Sequence, residues 1–123
     1  MVTKNDKNYS SITHLSSFAG WLFPFGNIIA PLILWLAKKG ESAYIDIHGK
    51  AAVNFQLSLM LYCFLLALLI IPLTIFTLGL GLIAVILGII PVFILIIVTI
   101  ISASIKANNG EYYEYPFTIE FIK

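Results

Sequence analysis

The sequence is short of charge, and the place where charge is missing matters most. Only 11% of the 123 residues are Asp, Glu, Lys or Arg, against roughly a quarter in soluble domains, and arginine is absent. From Ala51 to Ile105, a run of 55 residues, there is no Asp, Glu, Lys, Arg or His. A helix needs only about 20 apolar residues to cross a bilayer, so two crossings fit in this run. These absences argue against a soluble domain and predict a membrane protein.

The sequence also lacks the residues that are typical of several other classes of protein. Seven scattered lysines and a net charge of +1 provide no basic patch, so we expect no nucleic-acid partner. The single cysteine, Cys63, lies in an apolar run and has no partner for an intramolecular disulfide. The sequence has no nucleophile elbow, no phosphate-binding glycine loop and no pair of intramembrane carboxylates. We therefore predict neither an enzyme nor a cofactor.

Three long apolar segments are present instead. They predict an all-α integral membrane protein, with three transmembrane helices in a single membrane domain of residues 1–123. In chain order we predict a polar N-terminal tail (1–11), a first membrane segment (12–37), a polar loop (38–50), a second helix (51–73), a turn (74–81), a third helix (82–107) and an interfacial tail (108–123).

The first membrane segment is broken near Pro24 to Asn27, where proline, glycine and asparagine interrupt an uncharged run. Three interpretations stay open: a kinked continuous span, a surface helix followed by a shorter span from Trp21 to Ala37, or a re-entrant hairpin. A re-entrant hairpin returns the chain to its starting side and requires that protein covers the broken backbone. We favour three spans, and the side of the membrane that holds the N-terminus depends on this choice.

The positions of the lysines predict the orientation. With three spans, the 38–50 loop and the C-terminal tail share one side and carry five lysines, whereas the other side has two. Because cytoplasmic loops are enriched in Lys and Arg, we predict that the loop and the C-terminus of this multi-pass protein are cytoplasmic. In the re-entrant interpretation all seven lysines lie on one side, which satisfies the rule better.

A polar stripe enters the second helix from the loop. The stripe consists of four residues that follow one another at intervals of four and so share one helix face: Asp46, Lys50, Asn54 and Ser58. Asp46 and Lys50 are placed to form an ion pair, and the amide of Asn54, at membrane depth, needs a hydrogen-bond partner across a helix interface. The candidate residues for packing or partner contacts here are Asn27, Asp46, Lys50, Asn54, Gln56 and Ser58.

Two histidines, His14 and His48, raise the question of a metal site. Three spans place them on opposite faces of the membrane, and only the re-entrant interpretation brings them together. No cysteine or carboxylate cluster at metal-ligand spacing accompanies them. We therefore expect no metal. We expect two hydrogen-bonded imidazoles at the membrane interface, and we include His48 among the candidate contacts.

The C-terminal tail alternates between aromatic or aliphatic residues and other residues. Tyr113, Tyr115 and Phe117 recur at intervals of two, which is typical of an extended strand with one aromatic face. One interpretation is a strap that lies at the depth of the lipid headgroups. The other is addition of the tail as a strand to a partner protein, with the aromatic residues in pockets.

The stretch "HLSSFAGWLFPFGNIIAPLILWLAKKGESAYIDIHGKAAVNFQ" and the tail "KANNGEYYEYPFTIEFIK" resemble an uncharacterised family of small bacterial membrane proteins. That family is considered distantly similar to the small integral subunit of the chloroplast inner-envelope protein translocon. The resemblance implies a helical protein of the bacterial cytoplasmic membrane without an assigned activity. The chloroplast subunit has four helices, which would suit a first segment made of two helical pieces in a four-helix arrangement.

The sequence leads us to expect a small accessory or scaffold subunit whose partners are the lipid bilayer and another membrane protein or a second copy of the chain. One alternative is an oligomeric transport or protein-translocation component, in which the polar residues of the first and second segments line a path. Another alternative is a membrane stress or immunity factor.

Overall fold

The computed structural model describes residues 2–123, and its helices follow one another with short connections. In chain order they are α1 (Lys4–Leu15), a 3-10 helix (Ser16–Trp21), α2 (Gly26–Lys38), α3 (Ala43–Phe76) and α4 (Leu80–Asn108). Residues 109–123 form an irregular tail, and no strand occurs among residues 2–123. The all-helical prediction is therefore confirmed for the described residues, and the tail does not form a strand.

The two long helices, α3 and α4, form an antiparallel hairpin. Ser42 caps the start of α3 by accepting a hydrogen bond from the backbone N–H of Tyr44. At the far end the chain turns through Leu78 and Gly79, which both have positive φ angles. The hydroxyl of Thr77 donates to the carbonyl of Leu73 and accepts from the backbone N–H of Gly81. The turn therefore satisfies polar groups that would otherwise be costly near lipid.

The half of the hairpin nearest the turn has little protein packed around it, apart from Trp21 beside Phe93 and the tail beside Tyr62. The buried residues of α3 end at Ser58, and those of α4 begin at Thr99. We call residues 59–76 and 80–98 the bare section, and each arm is about 27 Å long at 1.5 Å per residue. That length is close to the roughly 30 Å of a bilayer's hydrocarbon core. The apolar side chains of this section, such as Leu78 at 95% exposure, match lipid as their surroundings.

The other half of the hairpin, which we call the capped end, is covered by the N-terminal helices and by the tail. α1 packs against α4 and α3, and α2 packs against α3 and the 3-10 helix. A capping box between Thr3 and Asp6 fixes the start of α1. The core beneath them contains Phe55, Ile100 and Ala103. The fold thus has a wide end and a narrow end.

The N-terminal elements run down one helix of the hairpin and back up the other. Ser11 lies level with Ser104, their hydroxyls 2.6 Å apart, and further down Trp21 stacks on Phe93 of the bare section at 5.8 Å. The chain then turns through residues 22–25. On the return, the amide of Asn27 donates to Gln56, at 2.9 Å, and α2 continues toward the capped end. We call residues 16–38 the re-entrant arm.

This path corrects the predicted number of spans. Within residues 2–123, only α3 and α4 are long and apolar enough to cross a membrane, which gives two candidate spans and not three. The 13 residues of α2 reach only about 20 Å, because the chain reverses at residues 22–25, between the end of the 3-10 helix at Trp21 and the start of α2 at Gly26. The arrangement corresponds to the re-entrant interpretation, in which protein covers the broken backbone.

The helices also begin and end at different residues from those predicted. α3 starts at Ala43, inside the stretch read as a polar loop, because Ser42 caps it. It continues through Pro72 and ends at Phe76. The connection between α2 and α3 is consequently only residues 39–42, and most of the polar stripe lies on a helix.

Two spans make a prediction about labelling from each side of the membrane. In a Cys63→Ser background, single cysteines at Asn5, Gly40 and Asn109 should react with an impermeant thiol reagent from one side, and one at Leu78 should react only from the other. Three spans would instead place Asn5 with Leu78 and separate both from Gly40. That second pattern would overturn the fold described here.

Candidate functional site

The polar side chains of the capped end form two connected groups around the tail. The first group, which we call the tail latch, consists of Asn54 and Ser58 on α3. The Asn54 amide donates to the carbonyl of Ile122 at 2.9 Å and accepts from its N–H at 2.8 Å. Ser58 accepts from the N–H of Ile119 at 2.8 Å. The partner of the Asn54 amide is therefore the backbone of the chain's own tail.

The second group, which we call the imidazole chain, joins three parts of the molecule. The hydroxyl of Tyr115 lies 2.6 Å from Nδ1 of His14, and Nε2 of His14 lies 2.8 Å from Nδ1 of His48. Nε2 of His48 lies 3.0 Å from the backbone carbonyl of Glu111. The chain of hydrogen bonds thus starts and ends on the tail and passes through α1 and α3.

The carbonyl at one end fixes the direction of every hydrogen bond in this chain. A carbonyl only accepts, so Nε2 of His48 carries the proton and donates to Glu111. When both imidazoles are neutral, each has one N–H, so Nδ1 of His48 accepts from Nε2 of His14. Nδ1 of His14 then accepts from the hydroxyl of Tyr115. Each neutral ring is therefore in a defined tautomer.

The surroundings of the imidazole chain favour the neutral forms. His14 has no exposed surface, and burial, followed by the proximity of His48, lowers the pKa of His14 to about 3. Burial also raises the pKa of Tyr115 well above its usual value, which keeps its hydroxyl protonated as a donor. Tyr44 and Tyr112 cover the other histidine, with Tyr112 stacked on the ring of His48 at 5.5 Å. The arrangement is a structural hydrogen-bond chain whose polarity is set by the fold.

The direct contact between the two histidines corrects the expectation that they lie on opposite faces of the membrane. That expectation followed from three spans, and it fails because the re-entrant arm returns the chain to the capped end, where α1 also lies. The nitrogen atoms of His14 and His48 are only 2.8 Å apart, which leaves no room for an ion between them. Among residues 2–123, no three His, Cys, Asp or Glu side chains are grouped as they would be to hold a metal.

The remaining candidate residues of the polar stripe make contacts within the chain. Lys50 and Asp46 form an ion pair at 3.0 Å, and the indole N–H of Trp35 donates to the same carboxylate at 2.8 Å. Gln56 accepts from Asn27, and the amide nitrogen of Gln56 is buried without a partner among residues 2–123. These contacts join α2 to α3.

The aromatic residues of the tail do not share one face. Tyr115 is buried and stacks on Phe55 with ring centroids 4.1 Å apart, and Tyr113 is half-buried beside it. Phe117 has a positive φ angle and is 81% exposed, so the backbone turns at this residue and its side chain points away from the protein. The hydroxyl of Tyr62 donates to the carbonyl of Phe117. The tail is therefore an irregular strap held on α3.

Sequence reasoning did not select several residues that build the site. His14 was expected to be a hydrogen-bonded imidazole but was not included among the candidate contacts, and Tyr44 and Trp35 were not selected at all. The hydroxyl of Tyr44 donates to the carbonyl of Ala107 at 2.6 Å, and Trp35 lies against Gly49, where no larger residue would fit. The sequence did contain one signal for His14, because a polar side chain next to an apolar segment needs a hydrogen-bond partner.

A groove of about 610 Å³ lies between α3 and the tail, open at the capped end. Its lining combines both signs of charge with aromatic side chains: Lys50, Asn54, Tyr112, Glu114, Glu120 and Lys123. A second, apolar groove of about 470 Å³ lies below the tail, between α3 and α4. The tail, held by the tail latch, forms one wall of each groove.

The model of the MamF_MmsF family, described as the magnetosome magnetite crystal formation protein family, matches residues 5–122. The match therefore includes every helix and nearly all of the tail. The comparisons with curated proteins and with solved structures gave no match. The match confirms in part the predicted similarity to a small family of membrane proteins. The comparisons give no support to similarity with a chloroplast translocon subunit.

The buried histidine predicts that the capped end is less stable in acid. Unfolded His14 binds a proton below about pH 6.5 and folded His14 does so only near pH 3, so its contribution is complete above 6.5 and is lost as the pH falls through this range. One such group changes the free energy of unfolding by up to about 1.4 kcal/mol per pH unit. Fluorescence of Trp35 in a Trp21→Phe background, followed during denaturant titrations in micelles, should show this slope. His14→Gln should reduce the slope, and an unchanged slope would contradict the assignment.

The tail latch predicts a residue-specific effect on amide exchange. Asn54→Leu removes both hydrogen bonds to Ile122 and should speed hydrogen exchange of the Ile122 amide by about tenfold or more, since each lost bond is worth about 1 kcal/mol. Ser58→Ala should do the same for Ile119 and is the matched control. Exchange measured by NMR that is unaffected in both variants would show that the tail is held by other contacts.

Proposed function

This chain belongs to the magnetosome magnetite crystal formation protein family, and we propose that it acts as an accessory membrane protein that binds another membrane protein beside its tail. The family description and the two apolar helices support membrane association. The observation that carries the proposal is the division of the molecule into a bare section, whose surface suits lipid, and a capped end with a polar groove. Binding chemistry is available only at the capped end.

The lysines support an orientation for this proposal. All seven belong to the capped end or to the elements that cover it, and the turn at residues 77–79 has no charged residue. By the positive-inside rule, the capped end faces the cytoplasm and the turn faces the opposite compartment. We therefore propose that the partner is met at the cytoplasmic surface of the membrane.

The groove between α3 and the tail has the features of a binding surface for a protein segment. It offers aromatic side chains, which are enriched at protein interfaces, beside carboxylates and ammonium groups, which suit the polar rim of an interface. The backbone N–H groups of Ile119 and Ile122 are already bound by Ser58 and Asn54, so strand addition would have to displace the tail latch. Side-chain contacts in the groove therefore fit better than strand addition.

No specific observation favours the transport alternative. The amides and hydroxyls expected to line a path are engaged inside the molecule: Asn27 with Gln56, and Asn54 and Ser58 with the tail. A path through an oligomer would need these hydrogen bonds to be broken.

Photo-crosslinking in native membranes tests the proposal. A benzoylphenylalanine at Phe121, next to the groove, should give an adduct with one other integral membrane protein, identified by mass spectrometry. The same probe at Leu69, which is 66% exposed in the bare section, is the matched control and should give lipid adducts. Glu114→Lys together with Glu120→Lys should reduce the adduct at Phe121. Only lipid or self adducts at Phe121 would contradict the proposed function.

A further inference from the structure

The re-entrant arm has an apolar outer surface that nothing in the chain covers. No charged residue occurs from Leu15 to Ala37. At the tip of the arm, Trp21 is 68% exposed, Leu22 is 85% exposed and Phe25 is 64% exposed. A polar solvent would disfavour so many large apolar side chains side by side.

Helix α2 continues this apolar surface. Pro31 and Trp35 are buried on the side that faces the rest of the protein. The opposite side presents Ile29, Ile33 and Leu36, at the spacing of one helix face, and all three are exposed. A helix that is apolar all round is surrounded by apolar material on every side. Protein supplies one side of α2, and lipid matches the other.

The length of the arm limits how far it extends into the bilayer. The contact of Trp21 with Phe93 places the tip beside the bare section, about 8 Å along α4 from Val98. That depth is less than half of the hydrocarbon thickness of about 30 Å, so the tip stays within one leaflet, and from the tip α2 rises about 20 Å to Lys38 and Lys39. The lysines mark the polar end of the arm. The arm therefore reaches lipid only from the side of the capped end.

We propose that the re-entrant arm is embedded in one leaflet only, so that the protein is a wedge that accumulates where the membrane is convex on the side of the capped end. In that leaflet α3 and α4 are accompanied by the arm, and in the other leaflet they stand alone. Each added helix, with side chains, is about 10 Å across. A wider cross-section in one leaflet fits a bilayer in which that leaflet is the outer, expanded one. The partner is the acyl-chain region of lipid, independent of any protein partner.

The two tryptophans provide a direct test of insertion. Trp21 lies at the tip, whereas Trp35 is 7% exposed and bonded to Asp46. In vesicles of brominated phosphatidylcholine, wild-type fluorescence should be strongly quenched, and Trp21→Phe, which retains Trp35, should lose most of that quenching. Quenching that is the same in both proteins would show that the tip does not enter the acyl region and would overturn the proposal.

Curvature preference is tested with the full chain reconstituted in phosphatidylcholine–phosphatidylglycerol vesicles. A dye on Gly40→Cys, in a Cys63→Ser background, reports protein density per vesicle area, and an impermeant quencher separates molecules with the capped end outside from those with it inside. Molecules with the capped end outside should be severalfold denser on small vesicles than on large ones. Molecules with it inside should show the opposite trend. If, for both orientations, the protein density on small vesicles equalled that on large vesicles, the wedge would be contradicted.

Two substitutions at matched backbone positions separate the arm from a general loss of apolar surface. Phe25 and Leu78 are both exposed and both have positive φ, at 62° and 53°, a conformation that asparagine accepts well. Phe25→Asn should weaken the quenching of Trp21 and the enrichment on small vesicles, whereas Leu78→Asn, at the opposite side of the membrane, should change neither. Equal effects of the two variants would overturn the role of the arm. Because no protein partner is present, failure here leaves the crosslinking result unaffected.

Discussion

The α3–α4 hairpin is long and apolar enough to cross a membrane, and this constraint accounts for the placement of most polar side chains of the protein. No Asp, Glu, Lys, Arg or His occurs from Ala51 to Ile105, and the described part of the chain covers residues 59–98 only beside Trp21 and the tail. Lipid offers no hydrogen-bond partners, so polar groups gather at one end. At that end, hydrogen bonds join the ends of the helices, the tail and two histidines to one another.

The imidazole chain is the longest series of hydrogen bonds described among these polar groups. Its direction is fixed by one backbone carbonyl, and it connects α1, α3 and both ends of the segment from Glu111 to Tyr115. A proton added to either histidine would require a hydrogen bond to reverse or break. The tail is therefore part of the fold, and the groove beside it is a consequence of its latching by Asn54 and Ser58.

The sequence was most informative where a single physical requirement applied. The uncharged run from Ala51 to Ile105 predicted the hairpin, and the four-residue spacing predicted the ion pair of Asp46 and Lys50. The number of spans was wrong, because an uncharged segment of 26 residues is long enough to cross and only its contacts show that it folds back. That error separated His14 from His48. The partner of Asn54 was equally hidden, because an amide's need for a hydrogen bond does not say which backbone will meet it.

The account depends most directly on the solvent around residues 59–98. A nitroxide scan of that section in reconstituted bilayers measures it, by collision with oxygen, which is soluble in lipid, and with a nickel chelate, which stays in water. The account predicts high oxygen access and low nickel access on the faces of both helices that do not contact the other helix, Trp21 or the tail, except near the turn at residues 77–79. Nickel access in mid-section, or protection from oxygen on those outward faces, would show water or a protein partner there and would contradict the account.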